Sequence, residues 1–126
     1  MELLTIFTIL ATHYVSDFLM QTRTMARNKS KSLKWLGLHC VLYTIGLFSI
    51  IFIADRLSFV TINDYFYLLI FAFVNGILHF LVDFISSKFT SYFYKKKKEK
   101  AFFNVIGFDQ LIHTMILIIS FSYIIV

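Results

Sequence analysis

Four long apolar segments separated by short polar stretches constrain this chain more than any other feature. They run over about 2–22, 33–54, 65–88 and 103–126. As helices, each reaches the roughly 20 residues needed to cross a hydrocarbon core of about 30 Å. A soluble globule of this size lacks the interior to hide 16 Phe and a 59% hydrophobic composition, whereas a bilayer acting as solvent removes the difficulty. The expected fold is all-α, a single integral membrane domain over 1–126 built as a four-transmembrane-helix bundle.

The polar residues inside those segments are few and of one chemical kind. His13 and Asp17 lie in the first, His39 in the second, His79 and Asp83 in the third, and Asp109 and His113 in the fourth. All four histidines of the chain are therefore within expected spans. An ionisable group at bilayer depth costs at least about 2.5–3.5 kcal/mol, which marks these positions as functional candidates. Residues at i and i+4 share a helix face, so three helices can each present a histidine beside an aspartate.

Charge fixes an orientation. Arg23, Arg27, Lys29, Lys31 and Lys34 crowd the first loop and Lys95, Lys96, Lys97, Lys98 and Lys100 the third, while the second has one Arg against two Asp. The bias of Lys and Arg toward the inner side then places 23–34 and 95–102 in the cytoplasm and both termini outside, in a bacterial-type plasma membrane. Trp35 is an expected interfacial anchor. The run Lys95–Lys98 reads as a topological anchor, with anionic headgroup contact as its further use. A nucleic-acid partner is set aside, because bases and aromatics interleave only at this membrane border. Membrane lipids are the expected partners, and oligomerisation is left open.

Other features bound the fold without naming a function. The single cysteine, Cys40, rules out an intrachain disulfide. The N-terminus lacks the basic region of a secretory signal, so the first segment is expected to remain as a span. With no proline in the chain, no proline kink is expected. Gly37, Gly46, Gly76 and Gly107 are expected to allow close helix approach. Asn28 and Lys29 are expected in a solvated loop, with capping of the polar site as the alternative.

In an up–down bundle the polar residues all fall in the half nearer the basic loops, His13, His79 and His113 about one turn deeper than the aspartates. An internal repeat agrees. Aligning His13 with His79 also pairs Asp17 with Asp83, and aligning Gly37 with Gly107 pairs His39 with Asp109 and Tyr43 with His113. The chain reads as a duplicated helical hairpin with a pseudo-twofold axis along the membrane normal. Such an axis would bring the paired polar residues face to face.

Helix bundles hold metals with carboxylates and imidazoles projecting inward from facing helices. His13, Asp17, His39, His79, Asp83, Asp109 and His113 are the candidate ligands, a set that suits one or two ions. Mixed nitrogen and oxygen donors favour Zn, Mn or Fe. Gln21, Tyr43, Asn75 and Gln110 are candidate supporting hydrogen-bonders. A metal with an open position activates water and polarises a phosphoryl oxygen, and Asp17 or Asp83, where not a ligand, is the candidate general base.

The stretch His13-Tyr14-Val15-Ser16-Asp17-Phe18-Leu19-Met20-Gln21, followed by Asn28-Lys29, His39, His79-x-x-x-Asp83 and Asp109-Gln110-x-x-His113, resembles a small bacterial and phage membrane family known as a domain of unknown function. The resemblance covers nearly the whole chain and implies a polytopic membrane protein without an assigned activity. A looser similarity is to inner-membrane metal-dependent hydrolases, though the adjacent Asp-His and Thr-His pairs of that group are missing. The expected function is a membrane-embedded, metal-dependent hydrolase of phospholipid or phosphoester substrates at the cytoplasmic leaflet. The alternatives are a non-catalytic membrane subunit and a small transport or proton-relay module. The apolar outer halves of the segments, such as Ile50–Ile53, speak against a continuous transport path.

Overall fold

The computed structural model describes all 126 residues, Met1–Val126, and contains helices and connecting turns without strands. Helix α1 spans Leu3–Tyr14 and continues as a π-helical turn, Val15–Leu19. A short helix, α2, spans Arg23–Asn28, and three long helices follow: α3, Leu33–Arg56; α4, Tyr65–Lys95; and α5, Glu99–Ile124. Helix α4 packs along α3 on one side and α5 on the other, while α1 lies against α3 and α5 and α2 folds onto α3.

Three of these helices, α3, α4 and α5, are long and apolar enough to cross a membrane; Leu3–Leu19 is a shorter apolar helix. The expected first span over 2–22 is thus trimmed at its C-terminal end. The chain leaves the helix after Leu19, and Thr22 caps α2 by accepting a hydrogen bond from the Met25 amide at 3.2 Å. Helix α2 is expected as loop, because six residues with two charged and two uncharged polar side chains show no apolar period. The fourth segment begins earlier than expected, at Glu99, whose carboxylate suits the positive end of a helix dipole.

The π-helical turn is closed by the bond from the Met20 amide to the Val15 carbonyl, 3.0 Å long. It widens the helix where Ser16 and Asp17 are buried, and Gly46 of α3 gives it room. A Cβ on Gly46 would lie 2.6 Å from Met20 Sδ and 2.8 Å from Ser16 Oγ. Gly76 of α4 is tighter still, with Thr44 Oγ1 2.0 Å from where a Cβ would sit. Gly37 and Gly107 face open space, so the expectation of close approach fails for these two: Gly107 lies on an exposed helix face, and Gly37 lines an open groove between α3 and α4.

Helices α3 and α4 both end on a residue in the left-handed region, Ser58 at φ 63° and Lys97 at φ 53°. In each case the amide of that residue and the next one turn back to the helix, as in the bonds from Ser58 to the Asp55 carbonyl at 3.0 Å and from Phe59 to the Ala54 carbonyl at 2.9 Å, which satisfies carbonyls that a helix end leaves free. Asp55 ties the α3–α4 turn by accepting from the Ile62 amide at 2.8 Å and from the Tyr65 hydroxyl at 2.7 Å. Asp64 caps α4 through the Phe66 amide.

The interior is divided along the bundle axis. Toward the α3–α4 turn it is a dry cluster that includes Ile9, Leu47, Ile51, Leu68, Phe71 and Phe121; the Phe71 and Phe121 rings meet edge to face at 5.4 Å. Toward the lysine-rich end it is polar: ten of the 27 buried residues are polar or charged, among them all four histidines. Large apolar side chains such as Phe7, Phe73, Ile85 and Phe108 face outward. This inside-out distribution is the one expected of helices solvated by lipid.

Candidate metal centre

The buried stripe of α4 runs Leu68, Phe71, Ala72, Asn75, Gly76, His79, Asp83, Ser87, a helical period that turns from apolar to polar at Asn75. That switch sets His79 and Asp83 just beyond the dry core. Helix α3 delivers His39, α5 delivers His113 and Asp109, and α1 with its π-turn delivers His13 and Asp17 to the same level. The ring centroids of His79 and His113 are 4.2 Å apart and those of His39 and His79 5.1 Å.

Two ligand sets result, Asp17 with His39, His79 and Asp83, and Asp83 with Asp109 and His113. In the first, the Nε2 atoms of His39 and His79 face each other at 3.0 Å. Asp17 Oδ1 lies 3.1 Å from His39 Nε2 and 3.4 Å from His79 Nε2. Asp83 Oδ2 lies 3.4 Å and 3.7 Å from the same two atoms. A tetrahedral ion with bonds of 2.0–2.2 Å separates its ligands by about 3.3–3.6 Å; these five separations straddle that range, and all four ligand atoms lie within 4.8 Å of one another. In the second set His113 Nε2 lies 3.2 Å from Asp83 Oδ1 and 3.5 Å from Asp109 Oδ1. Asp83 thus turns one oxygen to each set.

The tight contacts run between helices. The pairs expected along one helix are looser, at 3.8 Å for His13–Asp17, 3.7 Å for His79–Asp83 and 3.5 Å for His113–Asp109. His13 stands outside both ligand sets, with Nδ1 3.2 Å from the Tyr43 hydroxyl and Nε2 3.1 Å from Gln110 Oε1. Its ring nitrogens are therefore already engaged. Gln110 donates to Asp17 at 3.1 Å and to Asp109 at 3.0 Å. Tyr43 also stacks on His79 at 4.0 Å. Asn75 lies a turn away on the apolar side and exchanges hydrogen bonds with Ser120. Gln21 Oε1 and His79 Nδ1 are buried without partners.

Two groups at the site fall outside the expected set. Lys29, expected in a solvated loop, reaches from the end of α2 and donates to Asp83 Oδ2 at 2.8 Å. Burial works to lower its pKa, but the Asp83 carboxylate outweighs burial and holds the ammonium above its ordinary value. Ser86 donates to Asp109 Oδ1 at 2.5 Å. The sequence signal for Lys29 was its place in the Asn28-Lys29 motif; Ser86 carried none. Three carboxylates against one lysine leave an excess of negative charge in a buried site. A divalent cation or protonated histidines would offset it.

The helices and the site together define a class, a helical bundle of membrane type built around a buried His/Asp centre. The chain belongs to the family described as "Protein of unknown function (DUF3307)", which matches residues 4–126. No curated protein and no solved structure matches it, so the looser likeness to metal-dependent hydrolases gains no support from relatives.

Proposed function

We propose that this protein is a membrane-embedded, metal-dependent hydrolase acting on phosphoester or phospholipid substrates from the cytoplasmic leaflet. The observation that carries the reading is the facing pair of His39 and His79 Nε2 atoms, 3.0 Å apart between two carboxylates. An N–H···N bond accounts for the two rings alone, but it does not call for a carboxylate on either side, whereas two nitrogens and two oxygens converging at these separations suit a Zn, Mn or Fe ion. Asp83 belongs to both ligand sets, so with Asp109 and His113 it would also be able to hold a second ion.

A metal bound there supplies an activated water and a Lewis acid for a phosphoryl oxygen. Both candidate bases turn an oxygen to the ligand set, but Asp17 does so through Oδ1 alone, whereas both Asp83 oxygens face histidines, so Asp17 is the better placed. It lines a cavity of about 280 Å³ beside the centre, which Asp83 does not reach. Its Oδ2, held by Gln110, can accept the proton of the attacking water. In this reading all four apolar helices lie in the bilayer, the first shortened, with the basic loops 23–34 and 95–102 cytoplasmic. The duplicated-hairpin reading is supported by a matched pair of ring contacts. Tyr43 lies on His79, and its repeat counterpart His113 lies at 5.6 Å from His13, the counterpart of His79.

The second reading is a non-catalytic subunit or proton-relay module, favoured by the Lys29–Asp83 pair, which already brings a cation to the carboxylates. Elemental mass spectrometry on detergent-purified protein separates the two. One or two equivalents of Zn, Mn or Fe, lost in His79→Ala/Asp109→Ala, would establish the centre and lead to a phosphoesterase assay. A wild type that stays metal-free after incubation with these ions would sink the hydrolase.

A further inference from the structure

Two cavities adjoin beside the histidine layer. The inner one, already described, has Asp17 and Asp109 on its wall. The outer one, about 600 Å³, opens between α2, the end of α4 and the start of α5. The two share Lys29 and Ser87, so they form one passage from the surface to the carboxylates. Arg27, Lys29, Lys31 and Lys95 line the outer cavity, and no acidic residue does. The sign of charge therefore reverses along the passage, from cations outside to carboxylates inside.

A cluster of loop lysines alone would say no more than which side of a membrane it faces. Ser87 adds an independent observation. Its side chain is 5% exposed, it lines both cavities, and its Oγ is buried without a hydrogen-bond partner. Ser30, Thr90 and Ser91 bring further hydroxyls to the same wall. A buried hydroxyl left without a partner is costly and points to a group that supplies one. Beside four cations, that group is an anion with several acceptor oxygens, which Arg engages in fork geometry and Lys as a point charge.

We infer that the outer cavity is a phosphate-binding site, held by Arg27, Lys29, Lys31 and Lys95 and completed by the Ser87 hydroxyl. It recognises the phosphate group of either a lipid headgroup or a soluble ester. Its role in delivering substrate rests on the hydrolase reading; the anion site itself rests on these residues alone. Lys29, bonded to Asp83 on one side and lining the cavity on the other, is the link between phosphate and centre.

The test uses full-length protein in detergent. Inorganic phosphate is titrated calorimetrically at low salt, and native mass spectrometry measures retention of phosphatidylglycerol against phosphatidylcholine. Metal content is read on the same samples. Arg27→Gln/Lys31→Gln, both at exposed positions, is expected to weaken phosphate or anionic-lipid binding about tenfold or more, and Ser87→Ala about tenfold. Lys100→Gln, outside the cavity, is the control and leaves binding unchanged. Selective retention of phosphatidylglycerol without free-phosphate binding supports the site with a headgroup as its ligand; the converse supports it with a soluble ester. Equal binding by wild type and both cavity variants overturns it, as does a wild type that takes up neither probe. Metal-free protein that still binds phosphate removes the hydrolase and leaves this site standing, whereas metal-loaded protein blind to both probes does the reverse.

Discussion

Asp83 joins the two halves of the polar layer, one oxygen toward His39, His79 and Lys29 and the other toward His113. Removing a nitrogen donor should therefore be felt more than removing a neighbour. His39→Ala and His79→Ala are each expected to lower metal affinity more than about 100-fold, and Gln110→Ala about 10–100-fold, the range for residues that orient ligands; metal titration measures both. Lys29→Met tests the ion pair. It should cost about 1–2 kcal/mol, the lower part of the range for a charged hydrogen bond, because the lysine side chain is 21% exposed. A raised lysine pKa stabilises the fold below the unfolded value and is lost as pH rises through the folded one. The melting difference between wild type and Lys29→Met should thus be equal at pH 6 and pH 9 and close only in stronger alkali. The histidines and aspartates were legible because ionisable groups stand out in apolar segments. Lys29 was legible only as part of the Asn28-Lys29 motif, since a loop lysine points nowhere in particular until α2 folds over the opening.

At the scale of the elements, the long helices were legible from length and composition. Helix α3 ends at Arg56 rather than Ala54, and α4 runs on to Lys95. What escaped was set by fit between helices rather than by local pattern. The π-turn at Val15–Leu19 exists where Gly46 lets Ser16 and Met20 approach α3, and nothing in the sequence of the first segment announces it. Glycine substitution separates crossings from open faces. Gly76→Ala drives a methyl into Thr44, whose hydroxyl is bonded to the Cys40 carbonyl, and should cost about 1–3 kcal/mol. Gly107→Ala meets nothing within 4 Å and should stabilise α5 by up to about 1 kcal/mol through helix propensity. Thermal unfolding in one detergent compares the two directly.

For the whole molecule, the exposed apolar faces and buried polar layer make the membrane the natural solvent, and the basic loops give a direction to check. Cys40 is buried, so reporter cysteines can be read against a quiet background. With Ser30→Cys or Lys97→Cys, a membrane-impermeant maleimide should label only after the cells are opened, and with Ser58→Cys it should label intact cells. The reverse pattern would invert the proposed topology. That residues from all four apolar segments would meet at one level was legible, because four alternating helices carried them all toward the basic loops. How they would pair was not: i and i+4 spacing pointed along each helix, while the short contacts run across the bundle.

The dry cluster between the histidine layer and the α3–α4 turn has a consequence of its own. Its twelve buried residues include only one polar atom donor, the Tyr43 hydroxyl, and that is directed to His13. The Asn75–Ser120 pair carries polar groups one turn further, and beyond it Ile51, Leu68 and Phe71 fill the interior with hydrocarbon. Seated in an energised membrane as proposed, the centre would be insulated from the far side. Its charges would then share one aqueous compartment and feel only a small part of the roughly 2.3 kcal/mol per charge that a 100 mV gradient supplies across the whole bilayer.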